Sequence, residues 1–221
     1  MRLSLKLTPP PQEDPWENLT DVELVARTKK GNKDTYRVLV ERYQTRIVAL
    51  AYNILKDKIE AEDVAQEAFV KAYLSIADFK GDSSFLTWLY RITYNMAIDV
   101  RRKLTRRGMG FAMEVVETEK VGDIAESSVQ SHIDDPEQAL GNRQVGQVIR
   151  GLLNQLTPEH RSIVILREMD GLSYEEIAEV TGVTKGTVMS RLFYARKKLQ
   201  QGLEAQGLGR TVLQDESKES G

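Results

Sequence analysis

The residues of this chain best suited to chemistry lie between Leu172 and Leu199, in the sequence LSYEEIAEVTGVTKGTVMSRLFYARKKL. From Lys185 onward this stretch is basic and contains no acidic residue. Its side chains include small hydroxyls, arginines and aromatic rings, which can contact phosphates, base edges and thymine methyl groups. The composition makes DNA the first ligand to consider.

Local signals place this stretch on two helices joined by a tight turn. Ser173 and Glu176 have the spacing of a capping box, which marks the start of a first helix. Gly182 stands where the turn needs a left-handed backbone, and Thr184 can cap the second helix. This pattern predicts a helix-turn-helix motif. The plainer alternative is a helical hairpin with a solvated basic face and no ligand, and the coincidence of cap, turn glycine and one-sided charge disfavours it.

Helical spacing also predicts which side of the second helix is exposed. The apolar residues that recur on one side and predict its buried face are Val188, Leu192, Ala195 and Leu199. The residues predicted to contact duplex DNA are Lys185, Gly186, Thr187, Ser190, Arg191, Phe193, Tyr194 and Lys197. Among them Arg191 is the candidate for bidentate pairing with guanine.

A second group suited to nucleic acid lies between Phe79 and Lys103, in FKGDSSFLTWLYRITYNMAIDVRRK. Aromatic residues here alternate with Arg, Asn and Asp, a combination that can stack on unpaired bases and contact their phosphates. The candidate contacts are Phe85, Trp88, Arg91, Asn95, Asp99, Arg101 and Arg102. The same rings are also suited to a protein core, and for Trp88 the core interpretation is at least as good.

A third group is AEDVAQEAFVKAY, residues 61–73. Val64 and Ala68 are predicted to face a core. The predicted polar face carries Glu62, Asp63, Gln66, Glu67 and Lys71, with Phe69 beside it. An acidic face bordered by an aromatic ring suits a protein partner, although such a face alone is more often simply solvated. Acid-base or metal chemistry is disfavoured because no histidine, ordered glycine-rich loop or second carboxylate cluster converges on these carboxylates.

Charge is distributed unevenly along the chain. The net charge is -2 over 221 residues, but basic residues cluster at 101–107 and 185–198, whereas 114–137 is mainly acidic. The chain has no cysteine, which excludes disulfides and thiolate metal sites. It has two histidines, for which surface roles are favoured over metal binding. No apolar run is long enough to cross a bilayer, and no signal peptide is recognisable. We expect no catalytic residue, no bound metal and no cofactor.

Helix start and stop signals predict an all-α fold with two small helical domains joined by a flexible linker, the second containing the helix-turn-helix. Predicted helices of the first domain cover about 20–31, 33–55, 59–77 and 84–103; those of the second cover 137–155, 158–169 and the motif. The predicted boundaries are a disordered Pro-rich extension at 1–18, a first domain at 19–107, an acidic linker at 108–136, a second domain at 137–203 and a disordered tail at 204–221.

Three motifs in this order resemble the bacterial extracytoplasmic-function (ECF) sigma factors, group 4 of the sigma-70 family. They are DVAQEAFVKAY from Asp63, FLTWLYRITYNMAIDVRRK from Phe85, and LREMDGLSYEEIAEVTGVTKGTVMSRLFYARKKL from Leu166. The resemblance covers about residues 19–200, and the combination is highly specific. The Pro-rich extension and the tail match nothing that can be assigned. Met189 stands where many family members carry a basic residue, which leaves the upstream DNA sequence open.

The resemblance implies a protein that binds the β and β′ subunits of core RNA polymerase and directs promoter-specific initiation from the cytoplasm, at the nucleoid, in a stress or envelope response. The residues implied to dock on the clamp helices of the largest subunit are Asp63, Gln66, Glu67 and Phe69. The first domain would open and read the −10 element, with Asn95, Asp99 and Arg102 as chosen contacts. The second domain would read the −35 element as duplex. Family members are often inhibited by an anti-sigma protein, which makes one a candidate partner.

Two other classes of protein are weaker interpretations of this sequence. A stand-alone helix-turn-helix regulator would need a dimerisation helix, a palindromic site and an apolar pocket for a small molecule. The sequence offers no such helix or pocket, and this class leaves the aromatic and basic segment 79–103 unexplained. An enzyme acting on nucleic acid would need metal-binding carboxylates or an activated nucleophile. We therefore expect no small-molecule substrate and no membrane insertion.

Overall fold

The computed structural model of the chain describes residues 15–107 and 136–208, and for 136–144 it describes the backbone alone. These residues form eight α-helices and no strand, in two helical domains. The all-α prediction is confirmed. All of the predicted linker except Pro136, which begins a helix, lies outside the described residues, as do most of the Pro-rich extension and most of the tail. In the described part of the chain, no helix is long and apolar enough to cross a membrane.

The first domain contains four helices. They are α1 (Asp21–Lys29), α2 (Lys33–Leu55), α3 (Lys58–Leu74) and α4 (Phe85–Arg106), with a short 3-10 turn at Ile76–Asp78. Each helix begins at a residue that caps it: Thr20, Asn32, Asp57 and Ser84. The Thr20 cap is a complete capping box, because Glu23 accepts a hydrogen bond from the Thr20 backbone N–H at 2.9 Å.

Two boundaries in this domain differ from the predictions by three residues. Helix α3 ends at Leu74 rather than near Ala77, because Ser75 donates to the carbonyl oxygen of Lys71 and the chain tightens into the 3-10 turn. Helix α4 continues three residues past the predicted end, to Arg106. The basic cluster at 101–107 therefore lies almost entirely on α4.

The second domain also contains four helices. They are α5 (Pro136–Asn154), α6 (Pro158–Val164, continued by a π-helical turn at Ile165–Met169), α7 (Tyr174–Thr181) and α8 (Lys185–Ala205). Gly182 ends α7 with φ 68°, the left-handed conformation that the turn was predicted to need. At the far end of α8, Gly202 lies so close to α5 that a β-carbon there would be 2.2 Å from Leu152 Cδ2.

The two domains pack against each other. Helix α4 lies against α7, and α2 lies against α6, so the apolar interior continues from one domain into the other. Arg161 of α6 is buried and donates to the carbonyl oxygens of Leu153, Asn154 and Leu156 in its own domain. It also donates to the carbonyl oxygen of Asn53 in α2, at 2.8 Å. One guanidinium therefore joins the end of α5 to the end of α2.

Candidate nucleic-acid interface

The exposed side of α8 is the side that helical spacing predicted. Val188, Leu192 and Ala195 are buried and Leu199 packs partly against them. Because these residues hold one side of the helix in the core, the opposite side is left to solvent. The exposed or half-exposed residues are Lys185, Gly186, Thr187, Ser190, Arg191, Phe193, Tyr194 and Lys197. Every residue predicted to contact duplex DNA therefore lies at this accessible surface.

Short polar contacts organise the start of α8. The Thr184 hydroxyl accepts from the Thr187 backbone N–H and lies 2.9 Å from the Thr187 hydroxyl. Ser190 donates to the Thr187 carbonyl oxygen at 3.1 Å. Lys185 forms an ion pair with Glu175 of α7. The helix N-terminus therefore presents hydroxyls and backbone N–H groups, which are suited to phosphate oxygens.

Two aromatic rings stand on the same surface. Phe193 is 63% exposed and Tyr194 is 64% exposed, and their ring centroids are 5.6 Å apart at 75°. Exposed large apolar side chains grouped in this way mark interaction surfaces more often than chance. Arg196 and Lys197 line a shallow groove with Tyr174 and Phe193, which sets positive charge beside the rings.

Helix α4 separates the residues predicted to bind unpaired DNA into two groups. Arg91, Asn95, Asp99 and Arg102 are exposed and recur at helical spacing along one side. Arg102 lies 3.8 Å from Asp99, an exposed ion pair within the helix. Arg101 is half-buried, and its Nη1 donates to Glu159 of α6 at 3.1 Å. The polar half of the prediction thus forms one continuous strip.

The two aromatic residues of that prediction, Phe85 and Trp88, do not lie at an accessible surface. Phe85 and Trp88 are buried, at 2% and 9% exposure, and pack with Phe79 at centroid distances of 6.1 and 5.0 Å. Their positions on α4 point toward the core of the first domain, where burial of such large rings stabilises the fold. In this structure they support the polar strip from beneath.

Helix α3 also requires a correction. Asp63, Gln66 and Glu67 are exposed, as predicted, and Val64 and Ala68 are buried. Phe69 is only 7% exposed, and its carbonyl oxygen accepts from the buried Tyr36 hydroxyl, so it belongs to the core. The apolar residues that border the acidic face are Ile59, Val70 and Leu74, each more than half exposed. Sequence reasoning missed them, although their spacing from Asp63 and Gln66 is helical.

Burial changes the pKa of several groups where α2 meets α6. Burial, together with the charge of Arg161, lowers the pKa of Lys56 to about 7. Burial also lowers the pKa of Arg161 to about 10. Burial raises the pKa of Asp170, although Tyr90 of α4 and the charge of Arg46 of α2 act to lower it. These shifts reflect desolvation at the contact between the domains rather than any arrangement of nucleophile and base.

Family comparisons match this arrangement. The Sigma-70 region 2 model matches residues 39–107, and the Sigma-70 region 4 model matches residues 146–199. The RNA polymerase sigma-H factor of Pseudomonas aeruginosa is 38% identical over 184 residues, covering 83% of this chain and 94% of that protein. The ECF RNA polymerase sigma-E factor of Escherichia coli K12 is 36% identical over 188 residues, covering 85% and 96%. The chain belongs to the ECF sigma factors.

Two solved structures share the fold of this chain. The sigma factor RpoE in complex with the anti-sigma factor NepR from Bartonella quintana matches with TM-score 0.60 and 26% identity, over 78% of this chain and 98% of that one. CnrH in complex with the cytosolic domain of CnrY matches with TM-score 0.56 and 25% identity, over 84% and 97%. The resemblance inferred from the three motifs is confirmed. This sigma factor binds core RNA polymerase and promoter DNA and directs promoter-specific transcription initiation.

Proposed function

We propose that three surfaces of this sigma factor divide the work of initiation. The exposed face of α3 docks on the polymerase, the polar strip of α4 holds the unpaired strand of the −10 element, and the exposed side of α8 reads the −35 element as duplex. The observation that carries the proposal is that all three surfaces are formed by exposed polar side chains on helices whose opposite sides are buried. The proposed domains keep the boundaries 19–107 and 137–203.

The docking surface is proposed to combine charge with apolar contact. Asp63, Gln66 and Glu67 supply the polar centre, and Val70 and Leu74 supply exposed apolar side chains on the same helix. Burial of such residues against a partner is a source of affinity, whereas a surrounding acidic rim gives orientation and specificity. Phe69 contributes by holding α3 on the core.

The −10 surface is proposed to act by capture rather than by cleavage or group transfer. Arg91, Arg101 and Arg102 are suited to phosphates, and Asn95 and Asp99 can hydrogen-bond to base edges. Unstacking a base costs a few kcal/mol per step, so capture must be coupled to polymerase contacts. We therefore propose that the chain carries out no covalent chemistry itself and that the polymerase supplies it, in the cytoplasm.

The −35 surface is proposed to read bases in the major groove with the first turns of α8. Thr187 and Ser190 are placed for phosphates and base edges, Arg191 for guanine and Phe193 for a thymine methyl group. Lys185 and Lys197 add salt-dependent phosphate contacts. Met189 is 50% exposed among them, so the surface lacks one cation that many family members have there.

An anti-sigma protein is a second proposed partner. Among solved structures of similar fold, the sigma factor RpoE is in complex with the anti-sigma factor NepR, and CnrH is in complex with the cytosolic domain of CnrY. The exposed apolar residues of α3 would suit the same kind of protein contact. Competition between such a protein and polymerase for α3 would make inhibition reversible.

The assignment of α3 is tested with purified sigma-free core polymerase. The double variant Gln66→Ala/Glu67→Ala should lower affinity for core polymerase by roughly tenfold or more, since it removes the centre of the docking surface. The matched control is Gln201→Ala/Glu204→Ala, which makes the same two changes at exposed positions near the end of α8. Equal affinities of the two variants would remove α3 from the docking surface. A dimer that binds duplex DNA tightly and ignores polymerase would favour a stand-alone regulator.

A further inference from the structure

The loop at 79–84 leads into α4 and borders its polar strip. The hydroxyl of Ser83 and Nη1 of Arg91 both donate to one carboxylate oxygen, Oε1 of Glu179, at 3.3 and 3.4 Å. Two donors that share one acceptor oxygen at these distances lie within about 7 Å of each other. An unpaired strand that is held by the strip would therefore also meet this loop.

The backbone of the loop carries free polar groups. Lys80, Gly81 and Asp82 are exposed, and their backbone N–H and C=O groups form no hydrogen bond with any described residue. Gly81 has φ 83°, in the left-handed region that glycine adopts readily. Groups of this kind can hydrogen-bond to the edges of an unpaired base. Their contribution to base preference depends on a loop that keeps one position.

One side chain of α1 holds this loop. Lys29 Nζ donates to the Phe79 carbonyl oxygen at 2.5 Å and lies 5.8 Å from the centroid of the Phe79 ring. An ammonium donates a stronger hydrogen bond than a neutral group does, and the face of the ring attracts the same charge. Among the described residues of the first domain, it is the only hydrogen bond between residues 79–83 and an α-helix.

The partner of Lys29 is itself fixed at the base of α4. The Phe79 ring lies 5.0 Å from the ring of Trp88 and 6.1 Å from that of Phe85, measured between centroids, and both of these rings are buried. The Lys29 hydrogen bond therefore sets the orientation of the peptide group between Phe79 and Lys80, where the loop leaves the core. A tilt of this peptide group would move the loop relative to the polar strip.

We infer that Lys29 is a positioning residue for the −10 element: by holding the Phe79 carbonyl oxygen, it fixes the loop at 79–84 against the polar strip, so that the loop can discriminate among unpaired bases. Lys29 acts through the loop and not by contact with DNA. This inference rests on the proposed function of α4 and adds a residue of another helix that determines specificity.

Lys30 provides a matched control for Lys29. It is the next residue in the chain, it carries the same charge, and its side chain is also exposed. Its only recorded hydrogen bond among the described residues is made by its backbone N–H, to the Arg27 carbonyl oxygen. Lys29→Met and Lys30→Met therefore remove the same charge from the same end of α1, but only the first removes the contact with the loop.

The first test measures the contact without DNA. Trypsin can cleave after Lys80, which is exposed, and cleavage requires the local chain to leave its folded path. In the full chain, Lys29→Met should raise the rate of cleavage between Lys80 and Gly81 roughly fivefold, and Lys30→Met should leave it unchanged. Mass spectrometry of the digest follows this bond separately from the others. Equal rates in the two variants would overturn the role of Lys29 in holding the loop.

The second test measures base preference in the complex with core polymerase. The DNA has a duplex −35 element and an unpaired −10 strand, taken from a promoter selected with the wild-type protein, and each −10 base is substituted in turn. Lys29→Met should reduce the preference for the selected base roughly fivefold at one position or more, with affinity for core polymerase unchanged. Lys30→Met should keep the wild-type preference. Identical preferences in the two variants would contradict the inference.

Salt dependence separates positioning from a direct phosphate contact. Removal of a lysine that binds a phosphate weakens binding to all sequences alike and lowers the salt slope by about 1. Positioning instead predicts one salt slope for Lys29→Met and Lys30→Met. Lys29→Arg keeps a cationic donor that can also stack on Phe79, so it should restore the base preference. A lower slope in Lys29→Met alone, or no rescue by arginine, would count against positioning.

The arginines of α4 separate this inference from the proposed function. Arg91→Ala and Arg102→Ala should reduce promoter opening if α4 holds the unpaired strand. If they do so while Lys29→Met keeps its base preference, the proposed function stands and the inference is wrong. If they open the promoter as the wild type does while Lys29→Met loses base preference, the assignment of the polar strip is wrong and the role of Lys29 is supported.

Discussion

Helices α4 and α8 are both assigned to DNA, yet the exposure of their predicted DNA contacts differs. On α8 each predicted contact reaches the surface, including the aromatic rings of Phe193 and Tyr194. On α4 the rings of Phe85 and Trp88 are buried, and the polar strip is partly covered by the other domain. Helix α8 therefore leaves its predicted contacts at the surface, whereas α4 keeps its rings in the core and leaves mainly its polar side chains outside.

The largest expected effect separates a core ring from a surface ring. Phe85→Ala should lower the free energy of unfolding by about 3–5 kcal/mol, because it empties a packed aromatic site. Phe193→Ala should change it by less than about 0.5 kcal/mol, because that ring is exposed. Urea unfolding followed by circular dichroism measures both. Similar midpoints for the two variants would break the distinction between the helices.

The next effect concerns the duplex-reading surface. Arg191→Ala should weaken binding of the polymerase complex to a selected −35 duplex by about 1–3 kcal/mol, the value of one bidentate base contact. Arg196→Ala removes an arginine from the same helix, but one that pairs with Glu168 at 2.7 Å, and should cost less. Equilibrium binding at fixed salt compares them. An equal loss of affinity in both variants would mean that Arg191 contributes only general electrostatic attraction to DNA.

A smaller effect depends on pH and belongs to the α2 and α6 contact. The pKa of Lys56 is lowered to about 7 in the folded chain, while the unfolded chain keeps the ordinary higher value. Above pH 7 the unfolded state therefore binds more protons, so stability should rise with pH. Between pH 7 and 8.5 the gain should be about 1.5 kcal/mol by urea unfolding. Lys56→Met should remove this rise, and a rise that survives the substitution would have another origin.

The smallest effect concerns the buried side of α4. Among the described residues the Tyr90 hydroxyl has no hydrogen-bond partner of ordinary geometry, although Asp170 lies near it. Tyr90→Phe should therefore leave the free energy of unfolding within about 0.5 kcal/mol of wild type, or raise it. Tyr36→Phe is the matched control, since its hydroxyl donates to Phe69, and should cost about 1 kcal/mol. A larger loss in Tyr90→Phe would indicate a bond to Asp170.

The sequence predicted α8 better than α4 for physical reasons. In α8 the apolar residues Val188, Leu192 and Ala195 recur at helical spacing and mark the buried side, so the opposite side is predicted to be exposed. In α4 and α3, aromatic residues stand between polar ones, and rings such as Trp88 and Phe69 suit a core and a ligand equally well. Packing decides between these uses, and packing depends on helices distant in sequence. The pairing of Glu179 with Arg91 was equally invisible, because no local pattern specifies how two domains meet.

The close approach of Gly202 to Leu152 has a consequence for how promoter preference can change. A side chain at Gly202 would require the Leu152 side chain of α5 to move, so this end of α8 is closely packed. The residues assigned to bases lie nearer the start of the same helix, where Met189 and Phe193 are at least half exposed. Substitutions there can alter the preferred DNA without disturbing the anchor. Packing on α5 constrains the residues at one end of α8, whereas the exposed residues near its start can be substituted.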